Sequence, residues 1–162
     1  MFGIEQADYR SEWKYEPVPK PPFIRSSDGS VSRGEMVDGV GVPRLQLEGE
    51  DLTSVRIDNQ THLTFGATEV TIGTPFRITS GGATYELDPE TQSGLGPLLA
   101  IYPATLLSAA VDAQLTLRLE FVGGEVLEIS EDRSYESWEI RGPGSRLIVC
   151  PPAGGGGLAV WH

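Results

Sequence analysis

Beyond residue 40 apolar side chains recur at every second position, the period of a strand with one buried face. In Leu52-Thr53-Ser54-Val55-Arg56-Ile57, Val55 and Ile57 share a face with polar residues between them. Thr61-His62-Leu63-Thr64-Phe65, Glu69-Val70-Thr71-Ile72 and Phe76-Arg77-Ile78 repeat the alternation, and Thr84-Tyr85-Glu86-Leu87 closes the block. Asp58-Asn59-Gln60, Gly66-Ala67 and Ser80-Gly81-Gly82 punctuate it, which is the grammar of a meander. The pattern then changes. Ser93 is placed to cap a helix over 94–101, in which Leu95, Leu98 and Leu99 recur at helical spacing before Pro103 ends it. A second strand-rich block follows. Leu115, Leu117, Leu119 and Phe121 share a face, and Gly123-Gly124 turns the chain into Glu125-Val126-Leu127-Glu128-Ile129. Further strands are expected over Tyr135 to Arg141, Arg146 to Cys150 and Leu158 to Trp161.

The two blocks resemble each other. Leu52 to Gln60 aligns with Leu106 to Gln114, with identity at Leu52/Leu106, Ser54/Ser108, Asp58/Asp112 and Gln60/Gln114. After a two-residue insertion Phe65 meets Phe121, Gly66 falls near Gly123, and Glu69-Val70 falls on Glu125-Val126. The expected fold is all-β with one short helix: two related β-meanders, about 44–88 and 105–161, packed as a sandwich or a strongly bent sheet. Both would lie in one domain, 39–162. Residues 1–38 read as an N-terminal extension. It is polar, with a polyproline stretch at Glu16-Pro17-Val18-Pro19-Lys20-Pro21-Pro22, yet it carries aromatic residues including Trp13 and Tyr15. The extension is a candidate to cover a sheet edge or to anchor on a partner.

Charge narrows the partners. The chain has 23 acidic and 12 basic side chains, a net charge of −11. Nucleic acid and anionic membranes are disfavoured, because both need Lys and Arg. A basic protein partner is compatible. The start lacks a basic stretch followed by an apolar one, no apolar run approaches membrane-spanning length, and Cys150 is the one cysteine. A reducing, cytoplasmic setting is therefore expected.

The last sixty residues carry Leu115 to Phe121, Tyr135-Glu136-Ser137-Trp138-Glu139-Ile140, Gly142-Pro143, Val149-Cys150 and Leu158-Ala159-Val160-Trp161 in that order. Thr74-Pro75-Phe76 and Asp88-Pro89 precede the helix. In these elements the chain, over about 40–161, resembles a family of uncharacterised, largely actinobacterial β-domains of unknown function. The resemblance implies no activity and no catalytic residue. Some small proteins of this kind look like immunity or antitoxin partners.

Catalytic parts are sparse. His62 and His162 are the two histidines; His162 is terminal, and His62 reads as a packing or surface residue on a strand. Cys150 reads as a small buried hydrophobe. One cysteine and two distant histidines do not make a zinc site, and the four glycines 154–157 lack the residues of a phosphate loop. No metal or cofactor is expected.

The run from Glu120 to Glu139 holds seven acids and one base, Arg133. Glu125, Glu128, Glu131, Asp132, Glu136 and Glu139, with Trp13 and Tyr15, are therefore the expected partner-binding residues. The function this favours is a non-enzymatic protein-binding module, an immunity-like partner of a basic toxin or effector. One alternative is an assembly subunit docking through its extension. Another is a hydrolase using a carboxylate in 136–139, with Glu136 on the Trp138 side of its strand as a buried acid.

Overall fold

The computed structural model describes residues 45–162 and the strand at 35–37, all within one unit, Arg33–His162. Trp13, Tyr15 and the polyproline stretch lie outside the described residues. The chain forms β1 (Glu35–Val37), β2 (Leu52–Ile57), β3 (Thr61–Phe65), β4 (Thr68–Ile72), β5 (Phe76–Ser80) and β6 (Ala83–Leu87). Helix α1 (Leu95–Ile101) follows, then β7 (Leu106–Val111), β8 (Leu117–Phe121), β9 (Val126–Ile129), β10 (Trp138–Arg141), β11 (Leu147–Val149) and β12 (Leu158–Trp161). The strands make two antiparallel sheets, β1-β12-β11-β10-β4-β3-β2 and β6-β5-β9-β8-β7. The alternating apolar positions of both sheets meet in one core, from Leu63, Val70 and Ile140 on one side to Ile78, Leu119 and Leu127 on the other. The expected β-sandwich is the observed fold.

The two meanders share their register. In the first hairpin Leu52 pairs with Phe65, a bulge follows, and Ser54 pairs with Thr64. In the second Leu106 pairs with Phe121, a bulge follows at the same place, and Ser108 pairs with Glu120. Both hairpin loops begin with an aspartate whose Oδ1 accepts a hydrogen bond two residues on, Gln60 N–H to Asp58 and Gln114 N–H to Asp112. This side-chain turn explains why Asp-x-Gln recurs. The two extra residues of the second loop hold Leu115 at φ 59°, outside the strand expected to begin there. One part of the sequence alignment shifts. The β8–β9 turn is a residue longer than the β3–β4 turn, so Val70 corresponds to Leu127, not Val126. Gly124, at φ 93°, absorbs the extra residue in a conformation that favours glycine.

Neither meander makes a sheet by itself. After three strands each half crosses over: β5 leaves β4 and pairs with β9, while β10 leaves β9 and pairs with β4. Ile78 faces Leu127 and Ile140 faces Val70, so the exchange is reciprocal in register. The crossings meet where Gly73 N–H donates to the Ser137 carbonyl. A Cβ on Gly73 would come within 3.1 Å of the Glu136 carbonyl oxygen, so a larger residue would press the two crossings apart by a few tenths of an ångström.

The halves also touch through equivalent residues. Leu52 N–H donates to the Ala104 carbonyl and Leu106 N–H donates to the Glu50 carbonyl, around an antiparallel bridge between Asp51 and Thr105. Beneath it the rings of Phe65 and Phe121 lie 6.2 Å apart. An approximate two-fold therefore relates the halves, as in an isologous dimer joined into one chain.

Three local expectations change. Gly94, not Ser93, occupies the helix N-cap, with no side-chain cap bond, because Ser93 instead bridges to Asp88. The strand expected over Tyr135 to Arg141 begins only at Trp138. Ser137 and Trp138 are both buried there, because Ser137 Oγ turns to accept from Asp132 N–H at 2.6 Å. Finally, β1 lies in the segment read as an extension and covers the edge of β12.

Phe65→Ala and Phe121→Ala should each lower stability by about 3–5 kcal/mol. Their double mutant should cost less than the sum, since the two rings share one contact. Urea unfolding followed by circular dichroism measures both, and should show one cooperative transition.

Candidate functional site

The acidic run is divided by the crossing from β9 to β10. On the outer face of the five-stranded sheet, Ala110, Arg118, Glu128, Arg77 and Glu86 occupy one cross-strand row. Charges alternate along it, and Arg118 Nη1 lies 3.1 Å from Glu128 Oε1. Glu139 sits in the other sheet, 2.7 Å from Arg141 Nη2. Glu128 and Glu139 are thus compensated and belong to different sheets. Glu125 lies at the β8–β9 turn.

Glu131, Asp132 and Glu136 share the link between the sheets. Asp132 shapes it: its Oδ1 accepts from the N–H groups of Ser134 and Tyr135, and its carbonyl accepts from Ala153 N–H at 2.8 Å. These bonds hold Tyr135 out in solvent, 70% exposed. Glu136 is exposed beside it, so it is not the buried acid of the hydrolase alternative; the chain reaches strand geometry two residues later. Glu131 is half-buried and lines a groove of about 390 Å³ with Gln114, Leu115 and the glycines 154, 156 and 157. The floor of this region is fixed by the Leu115 carbonyl, which accepts from Trp138 Nε1 at 3.0 Å. Of the residues expected to bind a partner, the structure therefore brings Glu131, Asp132 and Glu136 together. It places Glu125, Glu128 and Glu139 elsewhere, and Tyr135 is an addition that the acidic count did not reveal.

Cys150 is fully buried against the same floor. Burial pushes its thiol up to about 11, and the nearby Glu131 carboxylate adds to the rise, outweighing a hydrogen bond with Ser137. A thiol held protonated at neutral pH is a poor nucleophile.

His62 is the other group with a built surrounding. It points to the outer face of the seven-stranded sheet yet is only 8% exposed. Its Nε2 lies 3.3 Å from Asp58 Oδ2, and its Nδ1 lies 3.2 Å from Thr71 Oγ1 and 3.6 Å from Glu69 Oε1. Arg56 approaches Glu69 at 3.9 Å. Both ring nitrogens are engaged, so the cluster works as a polar latch between β2, β3 and β4. For Asp58 burial acts to raise the pKa. The Gln60 N–H bond, the charge and hydrogen bond of His62 and the charge of Arg56 together outweigh it, and the carboxyl is held below its ordinary 3.8. Periodicity placed His62 on a strand, but which acids surround it depends on the hairpin register. Among the described residues no three His, Cys, Asp or Glu are arranged to hold a metal ion, and no helix is long and apolar enough to cross a membrane.

A model of a family described as a family of unknown function (DUF6188) matches residues 43–162. The chain belongs to this family. The match begins after β1, just before Leu45, and runs through β12, so the family spans both meanders. No curated protein and no solved structure matches the chain.

Two outcomes follow from these surroundings. A carboxyl whose folded pKa is depressed stabilises the fold above its unfolded pKa, and that contribution is lost as pH falls through the folded value. Asp58→Asn should therefore lower stability at pH 7, by about 1 kcal/mol or less for a partly solvated pair. The gap should close in acid below the carboxylate range; urea titrations at the two pH values compare them. Separately, a thiol-reactive dye at neutral pH should leave Cys150 unmodified in the native protein and label it once the protein is unfolded.

Proposed function

We propose that this domain is a non-enzymatic protein-binding module for a basic partner, acting in the bacterial cytoplasm as an immunity or antitoxin protein acts toward a basic toxin or effector. The observation that carries this reading is how charge is distributed over the fold. Residues 45–162 hold sixteen acidic side chains, six arginines and no lysine. Arg56, Arg118 and Arg141 are occupied in ion pairs on the sheet faces, with Glu69, Glu128 and Glu139. Among the described residues the acids of the β9–β10 link form no such ion pair, and they flank an exposed tyrosine. Tyrosine supplies amphipathic contact area at low entropic cost, which suits the centre of an interface. The surrounding carboxylates would steer a basic partner and speed its association.

The hydrolase alternative has less behind it. Glu136 stands in solvent, and Glu139 is engaged by Arg141. The assembly alternative draws on β1, which ties the segment preceding the domain to the edge of β12.

The test is capture of binding proteins by the intact chain from its native host. A basic protein should be retained at low salt, released as salt rises, and bound about tenfold more weakly by the double variant Glu131→Gln/Glu136→Gln. Tyr135→Ala should release the partner fastest of the link variants, as expected of a central contact. Retention indifferent to salt, or of acidic proteins alone, would sink the proposal.

A further inference from the structure

The two-fold relating the halves allows their exposed edges to be compared residue by residue. Among the described residues β2 is the last strand of one sheet and β7 the last strand of the other. Their registers make Thr53 equivalent to Leu107, Ser54 to Ser108, Val55 to Ala109 and Arg56 to Ala110. The first edge carries a charge, Arg56, whose side chain is 60% exposed. A charged side chain on an edge strand discourages pairing with another strand. The second edge has lost it. All of Leu106-Leu107-Ser108-Ala109-Ala110-Val111 is uncharged, it contains no proline, and Leu107 is 57% exposed.

We propose that β7 is a self-association edge, and that its occupant is β7 of a second copy of this chain. The bond from Asp112 N–H to the Thr116 carbonyl sets the phase of the β7–β8 ladder. Ser108 and Ala110 turn their backbone groups toward β8, and Ala109 and Val111 turn theirs to the open side. Leu106 is already bonded on its open side, to Gly49 and Glu50, so the free stretch of this edge is 107–111. An antiparallel pair centred on Ala109 sets Ala109 against its own equivalent and Val111 against Leu107 of the second copy. On the outer face it sets Ala110 against Ser108 of the second copy. Beyond these small residues lie Arg118, next to Ala110, and Glu120, next to Ser108. The row across the junction therefore reads Arg118, Ala110, Ser108, Glu120, and by symmetry the same row runs back. Opposite charges flank the junction twice along this row. A basic partner would find no carboxylate on β7 to pair with, whereas a second copy finds a complementary row. The result is a two-fold dimer with one continuous ten-stranded sheet.

Light scattering on the full chain, over roughly a hundredfold range of concentration, tests the proposal. A concentration-dependent dimer is expected, with the amide protons of Ala109 and Val111 exchanging slowly in the dimer. Two substitutions separate pairing from folding. Ser108→Lys faces Glu120 within its own sheet and Ala110→Glu faces Arg118, so each should leave the melting temperature of the monomer unchanged. Each sets a charge near its like in the second copy, and should weaken the dimer by about tenfold or more. Mixing the two variants sets the new lysine side against the new glutamate side and should restore association between unlike chains. A chain that stays monomeric throughout overturns the proposal, and leaves β7 open to a strand of another protein. Variants that dimerise as the parent does, a mixture that fails to associate, or fast exchange at Ala109 and Val111 in the dimer would overturn it equally.

Discussion

The reciprocal contact between the two halves is the constraint on which the rest of this fold depends. Leu52 and Leu106 each donate a backbone hydrogen bond across the Asp51–Thr105 bridge, and Phe65 and Phe121 stack beneath. This fixes how far apart the two three-stranded units stand. With that distance set, the strand after each unit completes the other unit's sheet. Each sheet then owes strands to both halves, and its inner face is apolar only because both contribute. Isolated small sheets are marginal in water, and exchange gives each unit the neighbours it lacks.

Symmetry of this kind makes the departures from it informative. Where the halves agree, at the bulges, the aspartate turns and the paired phenylalanines, the shared residues serve the backbone. Where they differ, local chemistry differs too. Thr61 occupies the place of Leu117 and leaves a buried hydroxyl with no protein partner, while Trp138 takes the place of Phe76 and brings an indole N–H that reaches the Leu115 carbonyl. The crossing in the first half is the short Gly73-Thr74-Pro75. The second takes residues 130–137, and that added length is where Tyr135 and the uncompensated acids stand. The proposed interaction surface is thus an elaboration of one crossing, on a frame that both halves share.

The polar latch around His62 and the salt bridges of the two outer faces show why total charge is a poor guide to location. Long alternating rows such as Arg118, Glu128, Arg77 and Glu86 neutralise themselves by cross-strand pairing. Charges close in sequence but divided between a strand and a loop meet different neighbours.

By itself the sequence determined the strands, the helix, the shared pattern of the halves and the acidic excess. These follow from local periodicity and turn chemistry, as at Leu117 to Phe121 and at the Asp-x-Gln loops. Tertiary structure alone decided that β5 and β10 change places, because alternation says which face of a strand is buried but not which strand lies beside it. It decided that Ser137 turns inward to Asp132, that Glu136 is left in water, and that Glu128 and Glu139 part company across the sandwich. It also decided which strands remain at the edges. The Arg56 to Ala110 difference could be aligned from sequence, but it acquires meaning only where register places both residues at a sheet's open side.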